Sequence, residues 1–109
     1  AGMDIDGERG DLVVAPASGV VTEAGWKGGY GNMIEIDHGN GLKTRYGHLS
    51  KIEVEVGDTL TRGQLIAFIG STGRSTGPHL HYELRLNDQP INPRRLLPPE
   101  PTELNKIEP

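Results

Sequence analysis

Four histidines, His38, His48, His79 and His81, are the imidazoles this sequence has to work with, and it contains no cysteine. Thiolate chemistry and disulfide frameworks are therefore excluded, and any metal must be held by His and carboxylates. The most informative spacing is His79-Leu80-His81. On a strand, residues i and i+2 share a face about 6.6 Å apart, so the two imidazoles point together and Leu80 points to the core. Two imidazoles so placed can be joint metal ligands, or one ligand and one base acting on a metal-bound water. The spacing leaves both open, beside the plain alternative of two solvated histidines. By the same rule Tyr46 and His48 share a face, which would bring a third imidazole to the site. His38 lies in Asp37-His38-Gly39-Asn40-Gly41, where Asn and Gly supply positive φ, and it reads as a residue of the turn. Asp4 and Asp6 add carboxylates near the start. The segment Gly70 to Pro78 invites comparison with a phosphate loop, but it lacks the Gly-Lys-Ser/Thr ending and precedes a strand, so it reads as a flexible rim beside His79.

The elements that must position these side chains are short strands. Sixteen glycines in 109 residues, interleaved with β-branched runs, predict strands joined by tight turns. Strand-like runs are Leu12 to Val14, Gly19 to Thr22, Asn32 to Asp37, Leu42 to His48, Ile52 to Val56, Gln64 to Ile69 and His79 to Leu86, the last turning at Asn87-Asp88. No helical periodicity competes, so the expected class is all-β. The length suits one domain, expected to span residues 1–97. Six of the eight prolines fall from Pro90 onward, and residues 98–109 read as a Pro-rich tail or linker. A net charge of −4 lacks the basic surplus that nucleic-acid backbones demand, and no apolar run is long enough to insert in a membrane.

Taken together, several stretches resemble the lysostaphin-like (LytM, M23) zinc metallopeptidases. These are Gly31-Asn32, Ile36-Asp37-His38-Gly39-Asn40-Gly41, Tyr46-Gly47-His48-Leu49-Ser50, Gly57-Asp58 with Arg62-Gly63-Gln64, and Ser71-Thr72-Gly73 through Gly77-Pro78-His79-Leu80-His81-Tyr82-Glu83. The resemblance covers roughly residues 2–97. It implies a lysostaphin-like β-sheet groove, related to the barrel-sandwich hybrids as a duplicated hybrid motif, with one Zn2+. Carried over by position, Asp4 and His81 are metal ligands, and His48 and His79 are the catalytic, non-ligand histidines. The remaining ligand of the family's His-x-x-x-Asp pair would stand one residue before Ala1, so the N-terminal edge of the domain is expected to be truncated.

The activity so implied is endopeptidase cleavage of peptidoglycan stem-peptide cross-links in the periplasm or outside the cell, with metal-activated water and a histidine general base. Arg45 and Tyr46 flank the groove in this reading, with Tyr46 assigned to packing. A second expectation is a non-catalytic domain of the same fold that binds cell wall or activates a separate cell-wall amidase. A third is a biotinyl- or lipoyl-carrier module, suggested by Val54 to Asp58 and Gly63 to Ala67. Lys27, Lys43, Lys51 and Lys106 occupy none of the hairpin-turn contexts that a carrier lysine needs.

Overall fold

The computed structural model describes residues 2–73 and 77–91, so the boundary expected at residue 97 and the tail 98–109 lie outside the described residues. The described chain forms β1 (Met3–Asp6), β2 (Leu12–Val14), β3 (Gly19–Trp26), a 3-10 turn (Gly28–Tyr30), β4 (Asn32–Asp37), β5 (Leu42–Ile52), β6 (Thr59–Leu60), β7 (Leu65–Ile69), β8 (His79–Leu86) and β9 (Gln89–Ile91). The fold is all-β, as expected. The main path is β1-β8-β5-β4-β3-β6, with β7 joining β5 to β2 and β9 added to β8. Every pairing is antiparallel.

Two kinds of element depart from the sequence expectation. The Ile52 to Val56 alternation is not a strand beyond Ile52: Val54 is an apolar anchor, and the backbone makes separate bonds such as Glu53 N–H to the Ile66 carbonyl, 2.8 Å. The Glu55 amide then donates to Asp58 Oδ2 at 2.9 Å, closing a turn where a ladder would have to continue. Conversely, β1 and β9 are too short to show a periodic apolar signal, and β9 contains Pro90, which an edge strand tolerates.

β5 organises the two faces of the sheet. Thr44 and Tyr46 lie on the core face with Ile34 and Ile36 of β4 and Leu80, Tyr82 and Leu84 of β8. A polar chain enters this core from the β4–β5 turn. His38 Nδ1 meets the Ser18 carbonyl at 2.8 Å, its Nε2 meets Thr44 Oγ1 at 2.7 Å, and Thr44 Oγ1 meets the Tyr46 hydroxyl at 2.6 Å. His38 thus ties the turn to the interior and stays outside the site.

The opposite face carries charge. Glu35, Arg45 and Glu83 are consecutive cross-strand partners, and Glu23 extends the row on β3. Arg45 Nε donates to Glu35 Oε2 at 2.6 Å and Thr22 Oγ1 donates to Glu35 Oε1 at 2.8 Å. These bonds explain how Glu35 can be only 4% exposed. Burial pushes its carboxyl up, but the bonds from Arg45 and Thr22 and the charges of Arg45 and Lys43 outweigh it and hold the group below its ordinary value.

Two loops close over this face where Gly31 and Gly73 meet. Both have positive φ, 68° and 74°. A Cβ on Gly31 would lie 2.5 Å from the Gly73 nitrogen, and one on Gly73 would lie 2.4 Å from the Gly31 nitrogen. Backbone meets backbone there, so no flexible side chain can yield. Gly31→Ala and Gly73→Ala are each expected to lower stability by about 2 kcal/mol or more, read by denaturant unfolding. Glu35 generates a second expectation. Its folded pKa is depressed, so its contribution to stability is present above the unfolded carboxylate pKa and is lost as pH falls through the folded value. Wild type should therefore lose more stability than Glu35→Gln between about pH 5 and about pH 3, measured by thermal melts across that window.

Candidate functional site

The site forms at one end of the charged face, where β5 changes partner. Its residues Leu42 to Gly47 pair with β8, and Leu49 to Ile52 pair with β7. His48 stands between the two ladders with φ 62°, in the left-handed region that a residue with a Cβ rarely adopts. That single rotation corrects the expectation that Tyr46 and His48 share a strand face. Alternation would send both into the core. Tyr46 does go there, its ring centroid 5.5 Å from Tyr82, while His48 is turned out to meet His79 at 5.1 Å and His81 at 5.8 Å.

His48 is held from behind. Its Nδ1 lies 2.6 Å from the Thr72 carbonyl oxygen, an acceptor, which assigns the ring proton to Nδ1 and leaves the Nε2 lone pair for chemistry. Thr72 is itself fixed: its hydroxyl donates to the Leu49 carbonyl at 2.7 Å and accepts from the Asn32 amide at 3.1 Å. Asn32 Nδ2 also donates to the Leu49 carbonyl at 3.1 Å. Over Gly70 to Gly73, the expected flexible rim is the clamp that holds the His48 imidazole.

His79 and His81 do share a face, with Leu80 buried behind them. β1 runs antiparallel beside β8 with Asp4 opposite His81, and this brings the first residues of the sequence to the site. Asp4 Oδ1 is 3.0 Å from His81 Nδ1 and 3.6 Å from His79 Nε2. Asp6, opposite His79 in the register, remains exposed. The four residues Asp4, His48, His79 and His81 are therefore brought together.

Three further residues complete the site. Glu83, one strand repeat beyond His81, has its Oε2 2.8 Å from His81 Nε2. The Tyr30 hydroxyl meets both Glu83 oxygens at 2.8 and 3.0 Å and accepts from Arg45 Nη1 at 3.2 Å. Gly47 makes room for this arrangement, since a Cβ there would sit 3.2 Å from the Tyr30 ring. Burial raises the Glu83 carboxyl, yet hydrogen bonds from His81 and Tyr30 and the charges of His81 and Arg45 bring it below its ordinary value. A cavity of about 280 Å³, lined by Gly29, Tyr30, His48, His81 and Glu83, opens beside the histidines. The signal for Glu83 was in the sequence, as the third member of a period-two series His79, His81, Glu83. Tyr30 and Thr72 sit in loops and had no such signal.

The donor chemistry fits a metal. His81 lies between two carboxylates, and a neutral imidazole carries one proton. With that proton on Nε2 toward Glu83, the Nδ1 lone pair and Asp4 Oδ1 face each other at 3.0 Å, an arrangement that a cation between them would satisfy. Tetrahedral zinc with bonds of about 2.0–2.1 Å places neighbouring donors about 3.3 Å apart, a separation close to that of this pair. The Glu83 carboxylate on the far nitrogen is the usual partner of a ligating histidine. Among the described residues no set of three His, Asp or Glu is gathered for a metal, and Asp4 and His81 are the pair whose donors stand in hydrogen-bond range.

Comparisons with known proteins identify the family. The model of Peptidase family M23 matches residues 1–93. The DD-carboxypeptidase/endopeptidase Mpg of Neisseria meningitidis is 51% identical over 100 residues, which cover 92% of this chain and 23% of Mpg. The peptidoglycan DD-endopeptidase ShyA of Vibrio cholerae is 56% identical over 62 residues, covering 57% of this chain and 14% of ShyA. Among solved structures, the catalytic domain of the antimicrobial peptidase lysostaphin from Staphylococcus simulans superposes with a TM-score of 0.83 at 40% identity, over 88% of this chain and 77% of that one. The chain spans less than a quarter of the length of these two curated relatives. With its lysostaphin-like sheet and a family match that spans all of the described residues, the chain belongs to Peptidase family M23.

Proposed function

We propose that this domain is a zinc-dependent endopeptidase that hydrolyses peptide cross-links of bacterial peptidoglycan, acting in the periplasm or outside the cell. The observation that carries the reading is the convergence of Asp4, His48, His79 and His81 from three strands on one end of an open groove. The names of Mpg and ShyA support the substrate class.

Asp4 and His81 would hold the zinc. When bound, zinc supplies a Lewis acid that polarises a carbonyl and acidifies water. The residues of the chain do the rest. His48, with its proton committed to the Thr72 carbonyl, takes a proton at Nε2 and is the better-oriented general base. His79, its ring 5.1 Å from that of His48, faces the same reacting volume and can donate to an oxygen that gains negative charge or to the departing amine. The cavity beside Tyr30 gives one peptide residue a place next to these groups.

His79→Ala and His48→Ala are each expected to cut kcat by about 10²–10⁴-fold on purified peptidoglycan while the fold is kept, checked by product release and circular dichroism. Asp4→Asn and His81→Ala should instead lose bound metal, read by elemental analysis. Chelator treatment of the full-length protein should abolish product release, and added zinc should restore it. Cell-wall binding or amidase activation that survives His79→Ala, with no product released by wild type, would replace the enzyme with a non-catalytic domain of the same fold.

A further inference from the structure

The groove floor carries a bonded series that runs from β4 to the metal ligand. Glu35 anchors Arg45 at 2.6 Å, Arg45 donates to the Tyr30 hydroxyl at 3.2 Å, Tyr30 meets Glu83 at 2.8 Å, and Glu83 Oε2 lies 2.8 Å from His81 Nε2. None of the metal or catalytic roles above requires Arg45 or Tyr30. Resting on the zinc-site reading of the previous section, we infer that Tyr30 and Arg45 are positioning residues that act through Glu83 to fix the ring proton of His81 on Nε2 and so free Nδ1 to bind metal.

The argument starts from a competition. His81 has a carboxylate at each nitrogen, Glu83 at Nε2 and Asp4 at Nδ1, 2.8 and 3.0 Å away. A neutral ring can satisfy one of them. If its proton goes to Asp4, the lone pair that should bind metal is blocked. Glu83 must therefore be the better-placed acceptor, and two features of the structure make it so. Its side chain is 10% exposed, on the sheet, whereas the Asp4 side chain is 59% exposed and free to be solvated.

The second feature is the polarity of the Tyr30 hydroxyl. That group has one proton and can accept as well as donate. Arg45 cannot accept, so its Nη1–H occupies an oxygen lone pair and leaves the Tyr30 proton directed at Glu83. The guanidinium also lies 5.8 Å from the Tyr30 ring centroid, and its other bond to Glu35 prevents it from swinging away. Gly47 beneath the ring lets Tyr30 lie low enough to reach.

The test measures zinc affinity of the full-length protein by competition with a chromophoric chelator, together with the His81 ring ¹⁵N shifts of the metal-free protein at about pH 8.5. Tyr30→Phe keeps the ring and removes the hydroxyl. It is expected to weaken zinc binding about tenfold and to move the His81 proton partly to Nδ1, with the metal-free unfolding midpoint little changed. The series wild type, Glu83→Gln, Glu83→Ala should fall in that order across about 10–100-fold. Arg45→Met combined with Glu35→Gln, which leaves no unpaired buried carboxylate, should behave as Tyr30→Phe. Affinities within about twofold of wild type, with the His81 proton still on Nε2 in Tyr30→Phe and in the double variant, would overturn the inference alone. A wild type that binds no zinc would overturn the proposed function and this inference with it.

Discussion

A strand sends alternate side chains to opposite faces, and the site depends on one residue that breaks this rule. His48 follows Thr44 and Tyr46 by the same period of two, and both of those are buried in the core. Its left-handed backbone turns the imidazole to the other face just where β5 exchanges β8 for β7. Such a conformation costs on the order of 1–3 kcal/mol and persists only where its surroundings determine it. Here they do: the Thr72 carbonyl, the Thr72 hydroxyl, the Asn32 side chain and the Gly31–Gly73 contact together hold the turn and the loop that grips it.

The second face of the sheet follows a different economy from the core. Glu35, Arg45 and Glu83 are largely hidden from water yet charged, and each is satisfied by neighbours in the same row. Buried ion pairs contribute little net stability because desolvation offsets their attraction. What they do contribute here is direction. A guanidinium with a fixed fork geometry, a hydroxyl with one proton and a carboxylate with two occupied oxygens leave few ways to rearrange. The core on the opposite side, built on Ile34, Ile36, Tyr46 and Leu84, supplies the burial that keeps the floor rigid.

Much of this was legible in the sequence where the period-two rule applies. It placed His79 and His81 on one face and Leu80 in the core, and it recovered Leu12–Val14, Asn32–Asp37 and His79–Leu86 with the observed bounds. The rule failed where the backbone leaves the strand region. It put Tyr46 beside His48 because nothing local in Arg45-Tyr46-Gly47-His48-Leu49 announces a positive φ at a histidine. It extended a strand from Ile52 to Val56 because one buried valine between glutamates looks like alternation. The contribution of Asp4 came from family resemblance, since a register between residues 77 apart leaves no local trace. Tyr30 and Thr72 reach the site from loops, and loop geometry is set by tertiary contacts such as the one between Gly31 and Gly73.

The pairing of β1 with β8 also governs when the site can exist. Asp4 is among the first residues of this sequence to be synthesised, and its partner His81 follows 77 residues later. Until β8 has been made and has settled between β5 and β1, Asp4 has no imidazole beside it and His48 has no His79 to face. A partly made or partly folded chain therefore lacks the Asp4–His81 pair, and on the proposed zinc reading a cation would be captured only after β1 has closed on β8. For the proposed hydrolase this would be a form of safety built from topology, since the contacts that bring the site together are among those that close the sheet.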